Sequence, residues 1–206
     1  MQNAACRLAI SILWGTLWTS YSLQVSSCES SFKETILPKW VDSYGAQPNV
    51  TLRVCFNEHR CLEGDDVFSI PDIRDRPDVT ISGNGLDANA SYIMCMLDAD
   101  ANNPYHPAYK PLLHWMVCDL PGNVDPYADL GIRGTTVKPY THPAEWDSAK
   151  DVFGIHRMYV LLFKQERKMG YLHFDLGAGS LSMRKFTKQF KLSYPVAGVS
   201  FHVDTT

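Results

Sequence analysis

Residues 91–102 read SYIMCMLDADAN, an apolar run that ends abruptly in two carboxylates. The run from 91 to 97 consists mostly of large apolar side chains and one tyrosine, which favours a buried strand. Asp98 and Asp100 follow it at alternate positions, where a strand gives way to a loop. The stretch therefore predicts a buried strand that carries acidic side chains at its end.

Similar apolar runs, separated by turn residues, recur on both sides of this stretch. They predict strands at 51–56, 79–81, 91–97, 113–120, 158–165 and 198–203. Good helical spacing is found at 182–190, where Met183, Phe186 and Phe190 fall on one face, and one or two further turns are expected within 32–41. The predicted fold class is mainly β.

Length and charge limit the possible functions. A chain of 206 residues that is 45% hydrophobic is sufficient for one domain with a sizeable core. Its formal net charge is −3, and it contains no run of basic residues that could follow a phosphate backbone. We therefore expect no nucleic-acid partner.

The N-terminal residues have the layout of a secretory signal. Arg7 precedes an apolar stretch at 8–18 (LAISILWGTLW), and small polar residues follow at 19–22. The stretch is shorter than the ~20 residues that a membrane span needs. We predict a signal peptide at 1–22, a single mature domain at 23–206 and a secreted protein; the alternatives are a buried N-terminal helix and an uncleaved anchor.

Secretion changes the interpretation of the cysteines, because disulfides persist in oxidising compartments. Cys55 and Cys61 flank a short polar stretch between two β-like runs, so a hairpin would bring them close enough to bridge. Cys95 and Cys118 lie within predicted strands and fit buried free thiols at least as well. Cys28 then remains unpaired or bonded to another chain.

Two glycosylation sequons also fit secretion. They begin at Asn49 (NVT) and Asn89 (NAS), each just before a predicted strand in polar surroundings. Both asparagines are predicted to be glycosylated.

Three polar residues lie where predicted strands begin or end. His114 opens the strand after Asp98, and His156 follows Gly154 at the start of a later one. If these strands are neighbours, the carboxylate can orient an imidazole while two imidazoles donate hydrogen bonds to an anion. The alternative is an exposed aspartate and two half-buried, hydrogen-bonded histidines.

Several motifs together resemble one known family. The sequence DADA at 98–101 is similar to the Asp-Pro-Asp-Ala-Pro signature of the phosphatidylethanolamine-binding protein family, and GIHR at 154–157 to its Gly-x-His-Arg signature. Tyr109 precedes His114 by five residues, as a tyrosine does in the family. The segment 186–198 resembles the family's Phe-x-x-x-Tyr-x-Leu-x-x-Pro-Val-Ala-Gly.

The resemblance extends over about 36–204 and implies a fold and a pocket. Family members have a large central antiparallel sheet, a smaller second sheet and a few short helices, with a small pocket that accepts phosphate and phosphoethanolamine head groups. The resemblance implies no cofactor, and we expect a monomer without a membrane-spanning segment in the mature chain. The ligand-binding residues it implies, of which the second and last support the surrounding loops, are Asp98, Asp100, Tyr109, His114, His156 and Arg157.

The sequence also departs from the family pattern. Ala99 and Asn102 replace two signature prolines, so the loop after the first strand loses two fixed φ angles. Met158 stands where the family has an aromatic residue and cannot donate a hydrogen bond. The loop at 142–151 is longer than its family counterpart and brings added negative charge, which should weaken anion binding.

These observations favour a secreted protein that binds phospholipid head groups or other small phosphate-bearing ligands. The alternative is a protein-interaction or protease-inhibitor module that acts through surface loops, chiefly 142–151. We do not expect an enzyme, because no serine or cysteine stands in a recognisable nucleophile context. Zinc would suit the same three polar residues as ligands, but nothing in the sequence shows that they point to one place, and we predict no metal site.

Overall fold

β-Strands dominate the fold of the protein, in a computed structural model that describes residues 49–57, 60–63, 66–101, 111–143, 154–170 and 181–206. The strands are β1 Thr51–Cys55, β2 Val67–Ser69, β3 Asp78–Ser82, β4 Ser91–Asp98, β5 Leu112–Pro121, β6 Thr135–Lys138, β7 Ile155–Gln165 and β8 Ala197–Asp204. Within these ranges, the α-helix α1 spans Met183–Phe190, and two short 3₁₀ turns span Ile70–Ile73 and Leu130–Ile132.

The strands form two sheets. Six of them lie in the order β2-β8-β7-β4-β5-β6, and β1 and β3 form a separate antiparallel pair. Within the large sheet only β2 and β8 are parallel; the other neighbours are antiparallel. The prediction of a mainly β protein with a large antiparallel sheet, a smaller one and few helices is confirmed.

The centre of the large sheet is β4, which is covered on both faces. Its alternate side chains belong to two separate apolar clusters. Because both faces are buried, nearly all residues of the strand are apolar. The cluster on one face includes residues of β1 and β3, and the other includes residues of α1. The β4 side chains of the first cluster are Tyr92, Met94 and Met96, and those of the second are Ile93, Cys95 and Leu97.

All six predicted strands are present, most of them longer than predicted. The largest extension is in β7, which begins at Ile155 instead of Met158 and therefore includes His156. The short strands β2 and β6 were not predicted, because they span only three and four residues. Pairing with β8 and β5 stabilises them, and that pairing leaves no local pattern in the sequence.

The predicted helix at 182–190 is confirmed as α1. Ser182 is its N-cap residue, and Lys191 ends it in the left-handed conformation with φ 51°. The predicted signal peptide at 1–22, Cys28 and the turns expected within 32–41 lie outside the described residues. No helix within the described ranges is long and apolar enough to cross a membrane.

The cysteines of the described residues follow the prediction. Cys55 and Cys61 are joined by a disulfide across an isolated antiparallel bridge, although Cys61 lies outside any strand. Cys95 and Cys118 are buried free thiols in the large sheet. Burial raises the pKa of the Cys118 thiol to about 11 and that of Cys95 further still, which keeps both thiols protonated and unreactive.

Both sequon asparagines are accessible. Asn49 and Asn89 are exposed residues in turns. Their glycosylation stays a prediction.

The aromatic side chains between the two sheets provide a test of the packing. Phe201 on β8 is 1% exposed, and its ring lies 5.3 Å from Phe56 and 5.6 Å from Phe68. Phe201→Ala should lower the free energy of unfolding by about 3–5 kcal/mol in chemical denaturation, because it leaves a cavity among these rings. The matched control, Tyr194→Ala, removes a ring that is 56% exposed and should cost under ~1 kcal/mol. Equal losses in the two variants would contradict the described core.

The disulfide provides a second test. Replacing both Cys55 and Cys61 by alanine should lower the free energy of unfolding by roughly 2 kcal/mol, because the bridge closes a short loop in the unfolded chain. Reductant should shift the denaturation midpoint of the unsubstituted protein in the same direction. Reductant should not affect the double variant, and a matching shift there would mean that another bridge is responsible.

Candidate functional site

Three polar side chains converge at one end of the large sheet. Asp98 is the last residue of β4, and its neighbours β5 and β7 supply His114 and His156. Their exposed fractions are only 2%, 2% and 0% in that order. The predicted convergence is therefore confirmed, and the alternative of an exposed aspartate with half-buried histidines is wrong.

His156 is oriented by the carboxylate. Its Nδ1 lies 2.8 Å from Oδ2 of Asp98, within a pair that is almost completely buried. A carboxylate can only accept, so Nδ1 carries the proton and donates it. In the neutral imidazole the lone pair is then at Nε2.

His114 reaches the same place through a β-bulge. Along β4 and β5, Met96 pairs with Trp115 but Leu97 pairs with Leu113, which leaves His114 as the extra residue of β5. A bulge re-aims the side chain of the inserted residue. The bulge is the reason that His114 joins Asp98 at the end of the sheet.

A main-chain carbonyl orients the ring of His114. Nδ1 lies 2.7 Å from the carbonyl oxygen of Thr141, which can only accept, so Nδ1 donates. The Thr141 amide donates to the His114 carbonyl oxygen at 2.9 Å, so the two residues fix each other. Oδ2 of Asp98 lies 3.9 Å from His114 Nε2, too far for a hydrogen bond.

Burial sets the charge state of His114. Desolvation lowers the pKa of its imidazole, and Asp98 and the Thr141 carbonyl offset part of that effect. The ring is consequently neutral at pH 7, with its lone pair at Nε2. Lys138 also acts electrostatically on this ring, and its Nζ lies 3.4 Å from Thr141 Oγ1.

The two Nε2 atoms are the chemically open positions of the site. Each is buried, and neither forms a hydrogen bond with any residue that the structure describes. Buried polar atoms without a partner are rare in folded proteins, and such atoms mark a position for a ligand or a water molecule. Neutral, they accept hydrogen bonds; protonated, they donate to an anion.

Asp100 and Arg157 support this arrangement from beside it. Arg157 donates through Nε and Nη2 to the two oxygens of Asp100, each at 2.7 Å, which raises the pKa of its guanidinium. The Asp100 amide in turn donates to Oδ1 of Asp98 at 2.8 Å, and the Ala99 amide donates to the Arg157 carbonyl at 3.0 Å. These contacts tie down the loop that lacks the family's prolines.

Of the remaining residues that the sequence analysis singled out, the structure describes Met158. Met158 is completely buried beside Asp98 in the strand register, where it fills the wall of the site. Tyr109, Asn102 and residues 144–151 of the predicted long loop lie outside the described ranges. No group of three His, Cys, Asp or Glu side chains in the described part of the chain is arranged to hold a metal ion.

Sequence reasoning missed Thr141 and Lys138. Thr141 acts through its main chain, which has no residue-specific signal. Lys138 lies at the end of β6, a strand too short to be predicted. Only the resolved pairing of β6 with β5 brings both residues next to His114.

Comparisons with known proteins agree with the resemblance that the sequence motifs indicate. The family model described as phosphatidylethanolamine-binding protein matches residues 43–201. Protein BROTHER of FT and TFL 1 from Arabidopsis thaliana is 31% identical over 155 residues, which cover 75% of this chain and 80% of that protein. Protein FLOWERING LOCUS T from the same plant is 26% identical and is covered to 79%, again with 75% of this chain.

Solved structures show the same fold. The carboxypeptidase Y inhibitor, solved in complex with its cognate proteinase, superimposes with a TM-score of 0.67 at 21% identity, covering 86% of this chain and 94% of that one. The phosphatidylethanolamine-binding protein from Plasmodium vivax gives a TM-score of 0.66 at 16% identity, with coverages of 86% and 97%. Together with the extent of the family-model match, this means that the chain belongs to the phosphatidylethanolamine-binding protein family.

Proposed function

We propose that this protein is a secreted binding protein for small phosphate-bearing ligands of the phosphoethanolamine type, held at Asp98, His114 and His156. The observation that carries the proposal is the pair of buried Nε2 atoms that lack partners among the described residues. Two nitrogens at the end of a sheet, next to one carboxylate, suit a ligand with a phosphate and an ammonium group.

The chemistry of the site supports binding in preference to catalysis. Both imidazoles have their Nδ1 committed to a protein acceptor, which holds the rings in fixed orientations. Within the described ranges, no serine or cysteine side chain is hydrogen-bonded to either ring, whereas an activated nucleophile needs such a base. We therefore propose that the protein is not an enzyme.

The proposed secreted location has two independent supports. One is the apolar stretch at 8–18 behind Arg7. The other is the disulfide between Cys55 and Cys61, a bond that persists in oxidising compartments. Glycosylation at Asn49 and Asn89 belongs to the same proposal.

A protein-interaction role is the second candidate. Its support is the carboxypeptidase Y inhibitor, a structural neighbour that was solved bound to a proteinase. In this chain the contact would be the loop at 142–151, which contains Trp146 and is longer than its family counterpart.

The binding proposal predicts the behaviour of the histidine rings. In an NMR titration with phosphoethanolamine, the ring signals of both His114 and His156 should shift saturably. His114→Asn should weaken binding about tenfold, because it removes one hydrogen bond to the ligand while retaining a polar side chain. The control His202→Asn changes a half-buried histidine of β8 on the opposite face of the sheet and should bind normally. Unchanged affinity in the His114 variant would remove the pocket assignment.

The protein-interaction proposal predicts that inhibition depends on the loop and not on the ligand pocket. Shortening the loop at 142–151 should abolish inhibition of a sensitive carboxypeptidase while leaving phosphoethanolamine binding intact. Inhibition that survives the deletion would contradict this role for the loop.

A further inference from the structure

We propose that the outer face of α1 is a docking surface for a sulfated polysaccharide of the kind found on cell surfaces. This basic face consists of Lys185, Lys188 and Lys191. It is separate from the ligand pocket, because His156 shares its face of β7 with Met158 of the first apolar cluster, whereas α1 packs on the second cluster. The proposal shares with the proposed function only the secreted location.

Charge is distributed unevenly along the chain. Residues 1–166 contain 13 basic and 20 acidic side chains, whereas residues 167–206 contain six basic and two acidic ones. No Asp or Glu occurs between residues 176 and 203, the stretch that contains α1. An acidic protein therefore has a strongly basic local region, and such a region can attract a polyanion although the net charge of the whole protein is negative.

The helix separates its apolar side chains from its lysines. Met183 and Phe186 are 1% and 0% exposed and belong to the second apolar cluster. Lys185, Lys188 and Lys191 are exposed. None of these lysines forms an ion pair with any residue that the structure describes. The cations are consequently available to a partner outside the chain.

The placement of the lysines does not favour the helix itself. Lys185 lies in the first turn, which contains no acidic residue, although the positive end of the helix dipole is located there. Lys188 suits the last turn, but it is three positions from both Lys185 and Lys191, and like charges at neighbouring positions on a helix repel each other. A negatively charged partner on this face would offset both unfavourable effects.

The spacing of the lysines fits a polymer better than a small anion. A rise of about 1.5 Å per residue separates Lys185 from Lys191 by roughly 9 Å along the helix axis. One small anion cannot contact all three lysines, whereas a chain with regularly spaced sulfate groups can. The lysines are not consecutive in the sequence, and the helix brings them to one side.

The same face is poorly suited to a membrane. A helix that binds in the membrane interface buries large apolar side chains in the lipid. Among the described residues, none of the exposed large apolar side chains lies on α1, and the nearest along the chain is the single ring of Tyr194. The proposed secretion, in turn, favours a polysaccharide over a nucleic acid. The observations therefore favour a sulfated polysaccharide as the occupant.

The experiment measures binding of the full mature chain to heparin, a densely sulfated polysaccharide, by calorimetric titration at several salt concentrations. The variant that combines Lys185→Gln, Lys188→Gln and Lys191→Gln should bind at least about tenfold more weakly at about 0.1 M salt. The slope of log affinity against log salt concentration should fall by about three, because each lysine in contact with the polyanion displaces about one counterion.

A matched control removes the same charge elsewhere. It combines Arg53→Gln, Arg74→Gln and Arg133→Gln, three exposed residues in or next to elements that pack on the first apolar cluster. This control should bind heparin nearly as tightly as the unsubstituted protein. Both variants should keep the denaturation midpoint and the affinity for phosphoethanolamine, which shows that the fold and the pocket are intact.

Three results would overturn the inference. The first is an equal loss of heparin binding in the two variants, which would mean that only the overall charge matters. The second is a lack of heparin binding by the unsubstituted protein at about 0.1 M salt. The third is tighter lysine-dependent binding to vesicles of phosphatidylcholine and phosphatidylserine, or to duplex DNA, than to heparin. The proposed function is tested separately, by the phosphoethanolamine titration of the histidine rings.

Discussion

The burial of β4 on both faces is the constraint on which the rest of the structure depends. A strand that exposes neither face needs a layer on each side, and the β1–β3 pair and α1 supply those layers. Because of the same burial, a polar group at the end of the strand lowers the stability of the protein unless a hydrogen-bond partner satisfies it. Asp98 stands at that end, so the geometry of the site follows from the requirement to satisfy it.

That requirement is met by protein groups on nearly every side. Asp98 accepts from the Asp100 amide and from His156, and the Asp100–Arg157 pair fixes the loop that follows. His114 is held by a main-chain carbonyl. Once these bonds are made, the Nε2 atoms of His114 and His156 still lack a hydrogen-bond partner among the described residues. Under the proposed function, these two unpartnered nitrogens mark the position of the ligand.

Most strand positions and two of the three central site residues are predictable from the sequence. The features that are not predictable have identifiable physical causes. The strand positions follow from apolar runs and turn residues, and Asp98 and His156 follow from their places beside those runs. The participation of His114 depends on a bulge, which is a mismatch between two strands and is not encoded in one of them. Thr141 contributes a carbonyl that any residue would have. The short strands β2 and β6 exist only through pairing with longer neighbours.

The edges of the large sheet have a consequence for the protein in concentrated solution. Among the described residues, its two outermost strands are β2 and β6, which are three and four residues long, so each exposes few unpaired main-chain groups. Long, flat edge strands act as templates on which further chains assemble into aggregates. Edge strands this short give another chain too few main-chain partners for stable strand addition. The brevity of these two strands thus protects the sheet from intermolecular β-assembly, while the long apolar strands remain enclosed at its centre.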